Sequence, residues 1–248
     1  MARNQTAGAG HGTSAELTAA RLAEWRAQFA AAPLNRVAQN AVTQITIDDV
    51  ALNRAAVTGV DHTFSHKLDD WEVTNQKRSG RCWMFAGLNL LRVGAMQKMK
   101  VKEFEFSQNH TLFWDKLERA NYFLEAIIDT AGAPVDDRTV WWLLAHPLDD
   151  GGQWNMFVSV IRKHGVVPKA AMPETESSSS TGRMNANVLA VLREGAKALR
   201  DAHAAGADTA TLRARKHEIL GVVHRILCIH LGTPPETFDW QWHDKDKG

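Results

Sequence analysis

A cysteine stands directly after a glycine-containing turn and at the head of an apolar run, in Asn75-Gln76-Lys77-Arg78-Ser79-Gly80-Arg81-Cys82-Trp83-Met84-Phe85-Ala86. The chemistry open to such a segment is nucleophilic attack by sulfur. If Cys82 opens a helix, the unpaired amide N–H groups of the first turn and the positive helix end favour thiolate over thiol. Ser79-Gly80 lets the chain turn sharply and keeps the sulfur accessible. Gln76 lies six residues upstream. Its side-chain amide can point where the Cys82 backbone N–H points, and two such donors make an oxyanion hole for a tetrahedral intermediate. Each residue alone has a blander reading. A Cys heading an apolar helix is more often an inert core thiol, and a Gln in a turn usually bonds locally.

The elements that must position these residues are mostly helical. Cys82–Met99 has almost no polar face, which predicts a helix inside the protein. Ser107–Thr130 carries Phe113, Leu117, Ala120, Leu124 and Ile127 at spacings of three and four, an amphipathic helix. Further helices are predicted from Ser14 to Pro33, which ends it, and over Arg138–His146, Trp154–His164, Met184–Ala205 and Asp208–Leu231. Gly165 and Gly232 serve as stops. Asn40–Val60 shows no clear period. Leu148–Gln153 reads as a loop, and Glu174–Gly182, with its four consecutive Ser, as a surface linker. Phe238, Trp240 and Trp242 alternate, which predicts a strand with one apolar face. Trp141-Trp142 and Cys228 read as core.

Composition narrows the class. The chain has 248 residues, 44% of them hydrophobic, and a net charge of +1. That suits one large or two small domains and gives no bulk argument for nucleic acid, a membrane surface or acidic substrates. Two Cys are too few for a disulfide framework. Met1–Ser14 lacks the apolar core of a signal peptide, and no run is long enough to span a membrane, so a reducing, cytoplasmic location is the expectation. His62 and His66 are spaced for a shared helical face, yet nothing completes a ligand set, so neither metal nor cofactor is expected. Asp149-Asp150 reads as a solvated loop rather than an acid/base pair.

The pattern Gln, five residues, Cys-Trp resembles that of the papain superfamily. The longer string from Val73 to Ala86 resembles the bleomycin hydrolase/aminopeptidase C branch. Similar strings follow in order: Lys102–Gln108, Phe113–Glu118, Ala120–Leu124, Asp150-Gly151-Gly152-Gln153-Trp154, Gly165–Lys169 and the closing Phe238–Asp246. Ser79 occupies the place where secreted papains usually carry a disulfide Cys. The resemblance implies an α+β, papain-like fold, with a helical lobe packed against a β-rich lobe. It implies a thiol aminopeptidase with Cys82 as nucleophile, Gln76 as oxyanion donor and Gly151-Gly152 lining the groove for peptide substrates, where otherwise they would be only a turn. Relatives of this kind form homo-hexameric barrels.

On that resemblance, residues 1–13 are expected to be a flexible tail, 14–232 the helical lobe, and 233–248 the start of a truncated β-rich lobe. A thiolate needs a His as base and an Asn to orient it. In such enzymes both lie downstream, and no Asn-Ser-Trp-Gly motif occurs here. The chain alone is therefore expected to be inactive. The alternatives are that His62, His66 or His110 supplies the base, or that the chain is a non-catalytic assembly module.

Overall fold

The computed structural model describes residues 17–61, 63 and 72–243. The expected tail, the Ser14 cap and His62 and His66 lie outside them. The chain divides into two compact units, Met1–Lys67 and Leu68–Gly248.

The first unit is four short helices: α1 (Ala19–Ala31), α2 (Pro33–Val42), α3 (Ile47–Val50) and α4 (Arg54–Thr58). Side-chain caps set three of their starts. Thr18 accepts from the Arg21 N–H, Thr46 from Asp49 and Asn53 from Ala56. Pro33 does not simply end a helix. After the extended residue Ala32 it opens α2, at the position where a missing N–H costs nothing. None of the described residues of these helices is buried, and Trp25, Phe29, Leu34 and Val37 all face outward.

The second unit holds α5 (Cys82–Met99), α6 (Gln108–Asp129), α7 (Arg138–Ala145), α8 (Trp154–His164), α9 (Glu176–Ser179), α10 (Gly182–Ala204) and α11 (Thr209–Leu231). Predicted punctuation is found in place. Ser107 caps α6 and Asp208 caps α11, while Gly165 and Gly232 end α8 and α11 with positive φ. Helix α6 is the central element and packs against α5, α7, α8, α10 and α11. Its Leu112, Phe113, Leu124 and Ile127 are fully buried against Met184, Val188, Leu192, Val223 and Leu227. Burying each such side chain is worth about 1.5–3 kcal/mol, so α6 is the rigid beam from which the neighbouring loops hang.

Several expectations change. The expected β component is not seen. Among the described residues there are only two isolated bridges, Arg78 with Ser180 and Phe106 with Pro168, and 233–243 is neither helix nor strand. Phe238, Trp240 and Trp242 have the right alternation. A strand, however, exists only with a partner to pair its backbone. The alternation survives as a side-chain ladder, with Trp240 stacked on Trp242 at 5.0 Å and against Phe104 at 5.4 Å. Trp141 and Trp142 are exposed rather than core. Cys228 is half-buried, at the edge of the core beside His224.

The Glu174–Gly182 stretch is not a surface linker. Thr175 and Ser178 form a reciprocal capping box that starts α9, and Ser178 is fully buried. The Arg78 N–H donates to the Ser179 carbonyl at 2.9 Å, and the Thr181 N–H returns a bond to the Arg78 carbonyl. Glu174 takes both terminal nitrogens of Arg81, at 2.9 and 2.7 Å. Serine-rich composition suggested solvent because Ser is small and polar, but here the Ser178 hydroxyl bonds Glu174 and the Ser177 hydroxyl bonds the His230 ring.

Arg81 is 1% exposed, so removing its partner strands a charge. Glu174→Gln is expected to cost about 3–5 kcal/mol of stability, read as a lowered urea midpoint at unchanged slope. A loss below about 0.5 kcal/mol, the level of an exposed pair, would show that the ion pair does not hold this region.

Candidate active site

Cys82 is exposed and is the first residue of α5. No side chain caps this helix start, so its first amides remain available to a ligand. The turn before it is tightly specified. Gly80 has φ 59°, and a β-carbon there would lie 2.6 Å from Asp150, so both conformation and space require glycine. Lys77 also sits in the left-handed region, φ 56°, held by its N–H donating to the Asn75 side chain at 2.8 Å. Gln76 is half-buried, and its Oε1 is buried with no hydrogen-bond partner among the described residues.

The fold brings the second predicted segment to this turn. The Gly151 N–H donates to the Gly80 carbonyl at 3.3 Å. Gly152 lies so close to the Trp83 ring that a β-carbon would meet it at 2.7 Å. Thus Gly151-Gly152, nearly seventy residues further along the chain, pack on the residues either side of Cys82.

Residues of α6 hold that loop in place. Lys116, 2% exposed, pairs with Asp150 at 3.0 Å. Arg119 chelates Asp115 at 2.9 and 3.0 Å, donates to the Gly151 carbonyl and lies 5.7 Å over the Trp83 ring. Burial lifts the Asp115 carboxyl above its ordinary range, opposed by the charges of Arg119 and Lys116. Asp150 is half-exposed, as a loop residue should be, but it is also the anchor for Lys116. None of Lys116, Arg119 and Glu174 stood out in the sequence. The available signal was Lys116, a charge that helical spacing sets beside the apolar stripe of α6.

Four of the described histidines, His110, His146, His164 and His230, are engaged with partners other than Cys82. The His110 Nε2 accepts from the Trp114 indole at 3.0 Å, and its Nδ1 is buried without a partner among the described residues. Burial, aided by nearby His164, holds the His110 pKa down at about 4. His164 stacks on Trp114 and bonds Glu118 at 2.8 Å. His146 pairs with Asp149 at 2.9 Å, and His230 bonds Ser177. Among the described residues no group of His, Cys, Asp and Glu could hold a metal ion.

The face of α5 that begins at Cys82 is uncovered. Ala86, Leu90, Leu91 and Gly94 are exposed, Leu90 by 60%, although the sequence places this helix inside the protein.

Gly152→Ala is expected to displace Trp83 and cost about 1–3 kcal/mol, seen as a lower denaturation midpoint together with a changed Trp emission. His110 makes stability depend on pH. Its folded pKa lies below its unfolded value near 6.5, so the unfolded chain binds the extra proton. Stability is full above about 6.5 and falls as pH drops toward 4. His110→Gln should flatten that part of the melting-temperature profile, and an unchanged profile would assign it to other groups.

Known proteins are similar to this chain. Residues 16–248 match the family model described as the peptidase C1-like family. Bleomycin hydrolase of Oryctolagus cuniculus is 45% identical over 85% of this chain and 78% of its own length. Aminopeptidase C of Listeria monocytogenes is 43% identical over 93% of this chain and 52% of its own. The crystal structure of PepW from Lactobacillus rhamnosis superposes with a TM-score of 0.87 at 44% identity, over 94% of this chain and 52% of that one. The chain thus spans about half the length of the Listeria and Lactobacillus proteins.

Proposed function

The chain belongs to the peptidase C1-like family, whose similar members include proteins named bleomycin hydrolase and aminopeptidase C, and from that premise we propose that Cys82 is the nucleophile of a thiol aminopeptidase. The thiolate attacks the carbonyl of a peptide's first residue and forms a carbon–sulfur bond. The carbonyl electron pair moves to oxygen, where the Gln76 amide and the Cys82 N–H receive it. Collapse expels the shortened peptide as an amine, and water then releases the acyl residue. Gly151-Gly152 line the groove, where the absence of side chains admits substrate backbone. One observation carries this reading: an exposed cysteine at an uncapped helix start, with the Gly-Gly loop bonded to its own turn. The unpaired Oε1 of Gln76 adds support, since a buried orphan costs about 1–3 kcal/mol and such costs collect at functional sites.

The 248 residues by themselves do not turn over. His110, His146, His164 and His230 are committed to other partners, which supports assigning the base and its orienting Asn to a second, β-rich lobe. That lobe would cover the apolar face of α5 that carries Ala86 and Leu90. The same face favours the second reading, an assembly module that docks without catalysing. Homo-hexamer formation belongs to the proposal for the whole protein.

The purified chain should be alkylated by iodoacetamide at Cys82 and show turnover of amino-acyl fluorogenic substrates no higher than its Cys82→Ala variant. Turnover that is lost in Cys82→Ala would hand the base to a histidine of this chain. Labelling at Cys228 with Cys82 inert would remove the nucleophile assignment.

A further inference from the structure

We propose that Ser79, Arg81 and Glu174 form a positioning relay that locks Gln76 relative to Cys82, an inference that rests on the oxyanion role assigned to Gln76. Between these two residues the chain passes through two left-handed positions, Lys77 and Gly80. It has no helix or strand to fix it, only one isolated bridge at Arg78. Backbone bonds hold it at Arg78, with Ser179 and Thr181, and at Gly80, from Gly151, while the Gln76 carbonyl is held by a side chain. Arg81 is N-terminal to Cys82 by one residue and almost fully buried. Its Nε donates to the Ser79 hydroxyl at 2.8 Å, and Ser79 in turn bonds the Gln76 main-chain carbonyl.

The direction of this relay is fixed by chemistry. A guanidinium can only donate, so Ser79 must accept from it and has one proton left, for Gln76. The other two Arg81 nitrogens take both oxygens of Glu174, and the Ser178 hydroxyl donates to the same carboxylate at 2.7 Å. The guanidinium also lies 5.0 Å over the Phe85 ring.

Glu174 is itself held from outside the site. The following residue, Thr175, donates its hydroxyl to the His230 carbonyl at 3.0 Å, and Ser177 meets the His230 ring at 2.8 Å. The end of α11 thereby sets where Glu174 stands, and the relay carries that position to the backbone of Gln76. Stability alone does not explain such a device, because apolar packing of similar volume serves stability as well or better. A charged fork with each terminal nitrogen bonded supplies orientation, which packing does not.

Two reactions of the full 248-residue chain separate positioning from simple exposure. Iodoacetamide alkylation needs an accessible sulfur. Reversible addition of a peptide aldehyde forms the carbon–sulfur bond, leaves the thiol proton on the former carbonyl oxygen, and needs the oxyanion donors. The readout is the ratio of aldehyde affinity to Cys82 alkylation rate, with thermal melting to confirm folding. Ser79→Ala, which keeps the ion pair, and Arg81→Lys, which keeps the charge but loses the fork, should each lower that ratio about tenfold. Arg213→Gln, which breaks the exposed pair with Glu125 on α6, should leave it unchanged. Should wild type bind the aldehyde more tightly than Gln76→Ala while Ser79→Ala matches wild type, the relay is overturned and the oxyanion reading stands. If wild type binds no more tightly than Gln76→Ala, the oxyanion reading fails and takes the relay with it. Ser79→Ala decides alone if Arg81→Lys does not fold.

Discussion

The ion pair between Arg81 and Glu174 is the contact on which the candidate site depends. It joins residues 93 positions apart, with the guanidinium almost wholly removed from water. A buried charge is tolerated only when its hydrogen bonds are made. Here the carboxylate, the Ser79 hydroxyl and the Phe85 face surround it. The need to satisfy that charge draws the Ser-rich stretch inward and closes it over the turn before Cys82. What composition marks as a linker becomes a bracket.

A second set of charges performs the same service for the Gly-Gly loop. Lys116 and Arg119 come from α6, the most deeply buried helix, and reach Asp150 and the Gly151 carbonyl. They sit one helical turn apart, so a single rigid element fixes both ends of the approach to Trp83. The loop needs this support because its glycines contribute no side chains of their own. The absence of side chains removes the means of self-anchoring.

The helix that carries Cys82 has two unlike sides. Met84, Phe85 and Leu88 are buried, Gly87 lets the Phe157 ring approach, and Ala86, Leu90 and Leu91 face outward. Apolar surface exposed in a row marks a place where another element can pack. It also explains why the helix reads as fully interior in sequence while only half of it is packed. Sequence hydrophobicity records every surface a helix buries in its working state, whichever polypeptide segment supplies the cover.

Local rules made much of this chain legible. The helix that Cys82 opens follows from its apolar run, and the central amphipathic helix and the stops at Gly165 and Gly232 from periodicity and capping, all of which act within a few residues. So does the turn around Gly80, since glycine is the residue that most readily adopts that backbone. The pairing of Arg81 with Glu174, the reach of Lys116 and Arg119, the inward turn of the Ser stretch and the outward face of Trp141 and Trp142 are of another kind. Each depends on which distant segments the fold makes neighbours, and a buried charge announces its partner only once that neighbour is in place. Phe238, Trp240 and Trp242 mark the limit most plainly. Their alternation is written in the sequence, but a strand is a relation between two backbones, and one segment alone cannot supply it.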